Sequence, residues 1–159
     1  MKVAVCRYAV GKPSGFDEFA TRQRQLLAQA ATQGAQVAVL PEYLALELAA
    51  TFPEEVYSDL HASLAAIQPL RGAWNELFAA LARDTGMHVV AGSFLLRLPS
   101  GRYRNRSDLF APDGGHHWQD KLQLTGFEKA SGVIEAGDAL KVAALDGIRA
   151  GISICYDSE

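Results

Sequence analysis

The sequence predicts a single α/β domain, with helices concentrated early in the chain and antiparallel strands late. Two patterns lead to this fold class. The first forty residues carry strand, helix and strand signals in turn, and the second half consists of short β-rich runs separated by turn residues. The length of 159 residues fits one domain, and the chain has no internal repeat, low-complexity segment or linker.

The opening of the chain predicts a strand–helix–strand unit. Lys2–Val10 contains three valines in loose alternation and indicates a strand. Asp17 is a candidate helix N-cap, and apolar residues then recur at helical spacing until Gly34, where we expect the helix to end. Gln36–Leu40 is a short apolar run typical of a strand buried on both faces, and Pro41 ends it because proline cannot donate to a sheet.

Two helices and then a series of strands are predicted in the rest of the chain. An apolar stripe over residues 56–67 predicts one helix, and a helical repeat over residues 74–82 predicts a second, which Gly86 ends. Asp146-Gly147 is a strong hairpin signal. The strands are predicted at Met87–Leu98, Tyr103–Ala111, His116–Leu124, Leu140–Leu145 and Ile148–Cys155.

The composition excludes several classes of protein. With 49% hydrophobic and 21% charged residues, the sequence is typical of a globular protein and unlike a disordered or fibrous one. A formal net charge of −3 argues against a nucleic acid or an anionic membrane as partner. No apolar stretch reaches the roughly 18–20 residues that span a bilayer, and we expect no secretory signal. Two cysteines are too few for a disulfide framework, so a cytoplasmic setting is expected.

Three residues with reactive side chains lie at or near the ends of predicted strands: Glu42, Lys121 and Cys155. Strand ends project side chains into a common crevice, so residues distant in sequence can meet there. A carboxylate can accept the proton of a thiol, and the sulfur can then attack a carbonyl or nitrile carbon. An ammonium group favours the thiolate and stabilises the anion that develops. These residue types therefore form a complete set for acyl transfer.

Three segments carry a resemblance to a known family: Leu40–Tyr43 (LPEY), Asp120–Leu124 (DKLQL) and Gly151–Glu159 (GISICYDSE). They resemble, in the same order, the three signature segments of the nitrilase superfamily, the carbon-nitrogen hydrolases. The resemblance runs from the first strand to the candidate nucleophile and implies a four-layer αββα sandwich. It also implies a catalytic triad made of Glu42, Lys121 and Cys155.

The resemblance implies further site residues and a reaction. Glu128 matches the second glutamate of the family and is expected to hold the lysine and the base in position. The backbone N–H of Tyr156 is expected to bind the oxyanion together with the lysine. The implied reaction hydrolyses a small amide, N-carbamoyl compound or nitrile through a cysteine thioester, with amide and carbamoyl substrates favoured. No metal or cofactor is implied, and a homodimer or higher homo-oligomer is expected.

The length of the chain leaves alternatives to an active enzyme. Family members are roughly twice as long, so residues 1–159 are expected to be the N-terminal, incomplete portion of a carbon-nitrogen hydrolase domain. One alternative is a catalytically inactive truncated module that needs a partner chain to complete the fold. Another is a thiol redox sensor at Cys155, which peroxide would modify reversibly without amide turnover.

Other residues compete for the catalytic roles. Glu47 is a second candidate for the base beside Glu42, and Glu135 is an alternative to Glu128. Cys155 is also compatible with a structural thiol buried at the end of a strand.

The remaining polar motifs give weaker signals. Lys121 is also compatible with a surface ion pair with Asp120. His116 and His117 are adjacent and would face opposite ways on a strand, and no His or Cys spacing is typical of a metal site. Ser153 lies inside a predicted strand, which argues against a serine nucleophile.

Overall fold

The computed structural model describes residues 1–159 as a six-stranded sheet, a separate two-stranded hairpin and five α-helices. The first strands of the sheet are parallel. A helical segment between them returns the chain to the end of the sheet at which the previous strand began. These parallel strands are β1 (Val3–Val5), β2 (Val37–Val39) and β3 (His88–Val90). The strand–helix–strand opening is therefore confirmed, although β1 ends five residues before the predicted Val10.

The helices cover one face of the sheet. Helix α1 starts after Gly15, so the predicted cap Asp17 lies inside its first turn. The predicted helix over residues 56–67 is split in two, because Asp59 caps the second part by accepting a hydrogen bond from the Ala62 N–H at 2.7 Å. The helices are α1 (Phe16–Thr32), α2 (Glu54–Tyr57), α3 (Leu60–Ile67) and α4 (Arg71–Thr85), with 3₁₀ helices at Leu44–Thr51 and Gln68–Leu70. None of the helices combines the length and apolar character needed to cross a bilayer.

The antiparallel half of the sheet is built around one long strand, β5 (Tyr103–Phe110). The predicted strand Met87–Leu98 is interrupted and forms β3 and β4 (Phe94–Arg97), which pair with the two ends of β5 along the same edge. Strand β6 (His116–Asp120) pairs with the other edge of β5. It stops before the predicted end at Leu124.

The interruption between β3 and β4 lies at Gly92 and has a steric cause. Gly92 has φ 70°, and a Cβ built on it would lie 2.3 Å from the carbonyl oxygen of Pro41. Only glycine accepts both this left-handed conformation and such a close backbone approach. The break therefore lets the segment after β2 pack against the sheet.

The two faces of the sheet bury different clusters of side chains. The helical face buries 20 apolar residues, with Trp74 packed between Phe19 and Phe94. The opposite face packs Val37 and Leu109 against the hairpin of β7 (Val142–Leu145) and β8 (Ile148–Gly151). The order of helices, main sheet and a second, two-stranded sheet confirms the α/β fold class and matches part of the predicted sandwich.

The hairpin of β7 and β8 covers only part of the main sheet. Asp146 and Gly147 both have positive φ, as the predicted two-residue hairpin turn requires. The hairpin does not extend over β1, whose Val3 and Val5 are 50% and 80% exposed. The apolar edge of the main sheet is therefore uncovered.

Replacing Gly92 with alanine is expected to lower the free energy of unfolding of the complete protein by about 3 kcal/mol or more, through left-handed strain plus overpacking. Gly101→Ala is the matched control, because Gly101 has φ 84° but no neighbour within 4 Å of an added Cβ. Its free energy of unfolding should fall only by the cost of the left-handed strain, about 1–2 kcal/mol. Urea unfolding measures both, and equal losses would contradict the steric explanation.

Candidate active site

Four of the candidate side chains meet at one end of the main sheet: Glu42, Lys121, Glu128 and Cys155. The Lys121 Nζ lies 2.8 Å from Glu42 Oε1 and 2.8 Å from Glu128 Oε2. Lys121 is 1% exposed and Glu128 is fully buried. A buried ammonium is stable only when partners of opposite charge surround it. Lys121, Glu42 and Glu128 therefore form an internal ion cluster and not a surface ion pair.

The segment after β2 places Glu42 at the end of the sheet. Tyr43, the next residue, has a left-handed backbone with φ 61°. Its N–H donates to Ser93 Oγ at 2.8 Å, just past the close approach of Pro41 to Gly92. These contacts turn the chain sharply at Glu42 and direct its carboxylate toward Lys121.

The lysine comes directly after β6. The Lys121 N–H continues the sheet ladder by donating to the Asn105 carbonyl at 2.9 Å, and its own carbonyl accepts from the Gly137 N–H at 2.7 Å. The backbone on both sides of the ammonium-bearing residue is therefore fixed.

A short helix that the sequence did not predict, α5 (Gly126–Ala130), carries Glu128. Thr125 caps it: the Thr125 side chain accepts from the Glu128 N–H at 3.2 Å, and the Thr125 N–H donates to Glu128 Oε2 at 2.8 Å. Glu128 is thus both the last member of a capping box and the second carboxylate on Lys121.

The electrostatics of this cluster favour the ionised forms of Lys121 and Glu128. Burial raises the pKa of Glu128, but hydrogen bonds from Lys121, Tyr43 and Thr125 outweigh it and lower the pKa to about 2. Burial lowers the pKa of Lys121, and its contacts with Glu128 and Glu42 outweigh that effect, so the pKa rises above its usual value.

Cys155 begins a 3₁₀ helix, Cys155–Ser158, four residues after the last strand ends at Gly151. Its φ of 49° is rare for a residue with a side chain and turns the exposed thiol out of the chain path. Partial burial, the charge of Glu42 and a hydrogen bond with that carboxylate raise the pKa of the thiol. Lys121 and the Tyr156 N–H lower it by less, so the expected stabilisation of the thiolate by the ammonium is outweighed.

A model of the carbon-nitrogen hydrolase family matches residues 2–159. The chain belongs to this family. Among curated relatives, the probable hydrolase YhcX of Bacillus subtilis is 30% identical over all of this chain and 30% of its own length. The omega-amidase NIT2-B of Xenopus laevis is 26% identical over 84% of this chain and 47% of its own. The chain thus spans about a third to a half of the relatives it matches.

Solved carbon-nitrogen hydrolases share the fold. An amidase from Nesterenkonia, solved after Michael addition of acrylamide at its active-site cysteine, superposes with a TM-score of 0.68 at 20% identity. The superposition covers 98% of this chain and 57% of the amidase. The nitrilase-superfamily fold expected from the three signature segments is therefore confirmed.

The competing acidic residues all have other partners. Glu47 is buried and binds Arg22 at 2.7 Å, with further hydrogen bonds from a tyrosine hydroxyl and a glycine N–H. Asp120 and Glu135 pair with arginines and not with Lys121. The lysine therefore has Glu42 and Glu128 as its carboxylate partners. No group of three or more His, Cys, Asp or Glu side chains is arranged to hold a metal ion.

Two positioning residues were missed by the sequence analysis. Asn105, fully buried on β5, donates from Nδ2 to Glu42 Oε1 at 2.8 Å and to Glu128 Oε1 at 3.3 Å. The Tyr43 hydroxyl donates to Glu128 Oε1. The sequence features that could have indicated them are, for Asn105, an amide side chain inside a predicted strand and, for Tyr43, its position directly after the predicted base. Lys121 and Asn105 both bind Oε1 of Glu42.

Two cavities reach the candidate catalytic residues. A cleft of about 560 Å³ is lined mostly by apolar side chains and includes Glu42, Tyr43 and Lys12. A smaller cavity of about 210 Å³ contains both Glu42 and Cys155. Glu42, the candidate base, therefore lies where a cleft of small-molecule size meets the cysteine.

Proposed function

We propose that the complete protein hydrolyses a small amide or N-carbamoyl compound through a thioester on Cys155, releasing ammonia or an amine. The observation that carries the proposal is a buried lysine between two carboxylates, one of which is also next to the cysteine thiol. In this arrangement the base and the cation that binds the oxyanion are held at fixed positions before the substrate arrives.

In the first half of the cycle, the thiol of Cys155 transfers its proton to Glu42, and the sulfur attacks the carbonyl carbon of the substrate. The carbonyl oxygen becomes an oxyanion next to the Lys121 ammonium and the Tyr156 N–H. When the tetrahedral intermediate collapses, the C–N bond breaks and protonated Glu42 gives its proton to the leaving nitrogen. The products are free ammonia or amine and an acyl group bound to sulfur.

In the second half, water attacks the thioester. Glu42 accepts the proton of the water, the oxyanion forms at the same donors, and the C–S bond breaks. The thiolate recovers its proton from Glu42, and a carboxylic acid leaves. Glu128, Asn105 and Tyr43 take part only by holding Lys121 and Glu42 in place.

The cleft and the relatives support amides as the substrate class. The Xenopus relative is an omega-amidase and the Nesterenkonia neighbour is an amidase. The cleft is apolar except for a few groups, and the exposed ammonium of Lys12, 5.1 Å from the Tyr57 ring centroid, forms no ion pair with a carboxylate. We therefore include amides that carry a distant carboxylate among the substrates to be tested.

The exposed apolar edge of the sheet supports the proposal that residues 1–159 are the N-terminal portion of the hydrolase domain. Val3 and Val5 lie on the face that the hairpin only partly covers, and a further part of the domain or a second copy would bury them. A small-molecule substrate, a homo-oligomer and a cytoplasmic setting complete the proposal. The net charge of −3 does not favour nucleic acid as a partner.

Ammonia release from a panel of neutral amides, half-amides of dicarboxylic acids, N-carbamoyl compounds and nitriles tests this function in the complete protein. The variant Cys155→Ala should abolish turnover, whereas Cys6→Ala, which removes the other free cysteine, should leave it unchanged. Mass spectrometry should detect an acyl adduct on Cys155. More than a few per cent of residual activity in Cys155→Ala would contradict the nucleophile assignment. Reversible peroxide modification without any amide turnover would favour the redox sensor.

A further inference from the structure

The carboxylate of Asp157, two residues after the candidate nucleophile, accepts three backbone hydrogen bonds. Its Oδ1 accepts from the N–H groups of Leu122 at 2.9 Å and Gln123 at 2.7 Å. Its Oδ2 accepts from the N–H of Ile154 at 3.0 Å. Hydrogen bonds to an ionised acceptor are about twice as strong as neutral ones. This single side chain therefore holds three backbone N–H groups strongly.

The three donors belong to the two segments that carry the reaction. Ile154 immediately precedes Cys155, and Leu122 immediately follows Lys121. No other hydrogen bond joins residues 121–125 to residues 152–159, and β6 and β8 lie in different sheets. The hydrogen-bonded link between the backbone segments of the thiol and the ammonium therefore runs through one carboxylate, that of Asp157.

An ordinary helix cap would not explain this pattern. The bond from Ile154 to Oδ2 is local and stabilises the turn that begins the 3₁₀ helix. The two bonds to Oδ1 come from residues 35 and 34 positions earlier in the chain. The turn itself contains Cys155 at a φ of 49°, and such a conformation persists only when its surroundings hold it.

We propose that Asp157 is a positioning residue that fixes the distance between the Cys155 sulfur and the Lys121 ammonium, so that the Tyr156 N–H and Lys121 face the same oxyanion. The proposal rests on the proposed function. Asp157 touches neither substrate nor the reacting atoms, and it acts through the two backbone segments that it joins.

The test compares Asp157→Asn and Asp157→Ala with the wild type in the complete protein. An asparagine can keep the bonds to Leu122 and Gln123 through its oxygen, but its NH₂ group cannot accept from Ile154. The expected kcat falls about tenfold in Asp157→Asn and about a hundredfold in Asp157→Ala, with KM changed less than about threefold, because misplacement by about 1 Å has effects of this size.

A second readout reports the position of the sulfur relative to the paired Glu42 and Lys121. Because Glu42 raises the pKa of the Cys155 thiol by more than Lys121 lowers it, moving the sulfur away from this pair should lower the pH midpoint of iodoacetamide alkylation by about half a unit or more. Asp59→Ala is the matched control, since that carboxylate caps only its own helix, α3. It should lose stability but keep the kcat and the alkylation midpoint of the wild type.

The outcomes separate the two proposals. If Cys155→Ala is active, the proposed function fails. If Cys155→Ala is inactive while both Asp157 variants keep the wild-type kcat and alkylation midpoint, the positioning role alone is overturned. It is also overturned if kcat falls only in proportion to the melting temperature, equally in the Asp157 variants and in Asp59→Ala. If Asp157→Ala does not fold, the kcat and the alkylation midpoint of Asp157→Asn alone decide the outcome.

Discussion

Replacing Lys121 with methionine is expected to abolish turnover and to lower the free energy of unfolding of the complete protein by about 3–5 kcal/mol. The side chains are similar in length, so packing changes little. The charge, however, is the shared partner of Glu42 and Glu128, both within 2.8 Å. Without it, a fully buried carboxylate and a partly buried one are left with no cation.

The pH dependence of stability should change sign in this variant. In the wild type the folded pKa of Glu128, about 2, lies below its unfolded value. The carboxylate therefore stabilises the fold above that unfolded value, near pH 4.5, and the contribution is lost as the pH falls toward 2. In Lys121→Met the buried Glu128 carboxylate loses its largest pKa-lowering contact and should have a raised pKa, so stability should recover as the pH falls toward 5.

Urea unfolding at several pH values, with ammonia release in parallel, measures both effects. Lys129→Met is the matched control, because Lys129 lies on the same short helix as Glu128 but is exposed and forms no ion pair. It should behave as the wild type does. A Lys121→Met protein that is as stable as this control would show that the cluster of Lys121, Glu42 and Glu128 does not stabilise the fold.

Replacing Glu42 with glutamine is expected to lower kcat by about 10²–10⁴-fold, the usual contribution of a general base. The amide oxygen can still accept from Lys121 and Asn105, the two groups that bind Oε1. It cannot take a proton from the Cys155 thiol. Stability should therefore change little while turnover is nearly lost, in contrast to Lys121→Met.

Glu47→Gln is the matched control for the base. Glu47 is buried in the same stretch of chain, but its carboxylate binds Arg22, Tyr8 and the Gly11 N–H instead of the lysine. This variant should lose stability and keep most of its kcat in the folded protein. The reverse result, with Glu47→Gln inactive and Glu42→Gln active, would assign the base to Glu47. Ammonia release and urea unfolding of both variants decide between them.

The sequence predicted the ionisable residues of the candidate site, but not the groups that hold them. Glu42, Lys121, Cys155 and Glu128 lie in recognisable segments, and the structure brings all four together. The contacts of Asn105 depend on which face of its strand is buried and on which residues lie opposite that face. One of these residues, Glu42, is 63 positions earlier in the chain. A pattern along the chain carries no information about such a pairing.

The errors in the element boundaries have similar causes. Strands in the sequence were predicted too long, because apolar residues continue past the point where a partner strand is present, as after Val5 and Gly151. Helix α5 has only five residues and owes its existence to the capping by Thr125 and to Glu128 binding Lys121. Tertiary contacts decided each of these cases, and propensity did not.

In the proposed reaction, the pairing of one lysine with two glutamates also determines how charge is distributed. With the thiol protonated, the cluster carries one negative charge in excess. When Cys155 gives its proton to Glu42, the excess moves from oxygen to sulfur, but its total is unchanged. Nucleophile activation is then an internal displacement of charge over the distance of one proton transfer, which requires no counter-ion from solvent and little rearrangement of the surrounding dipoles.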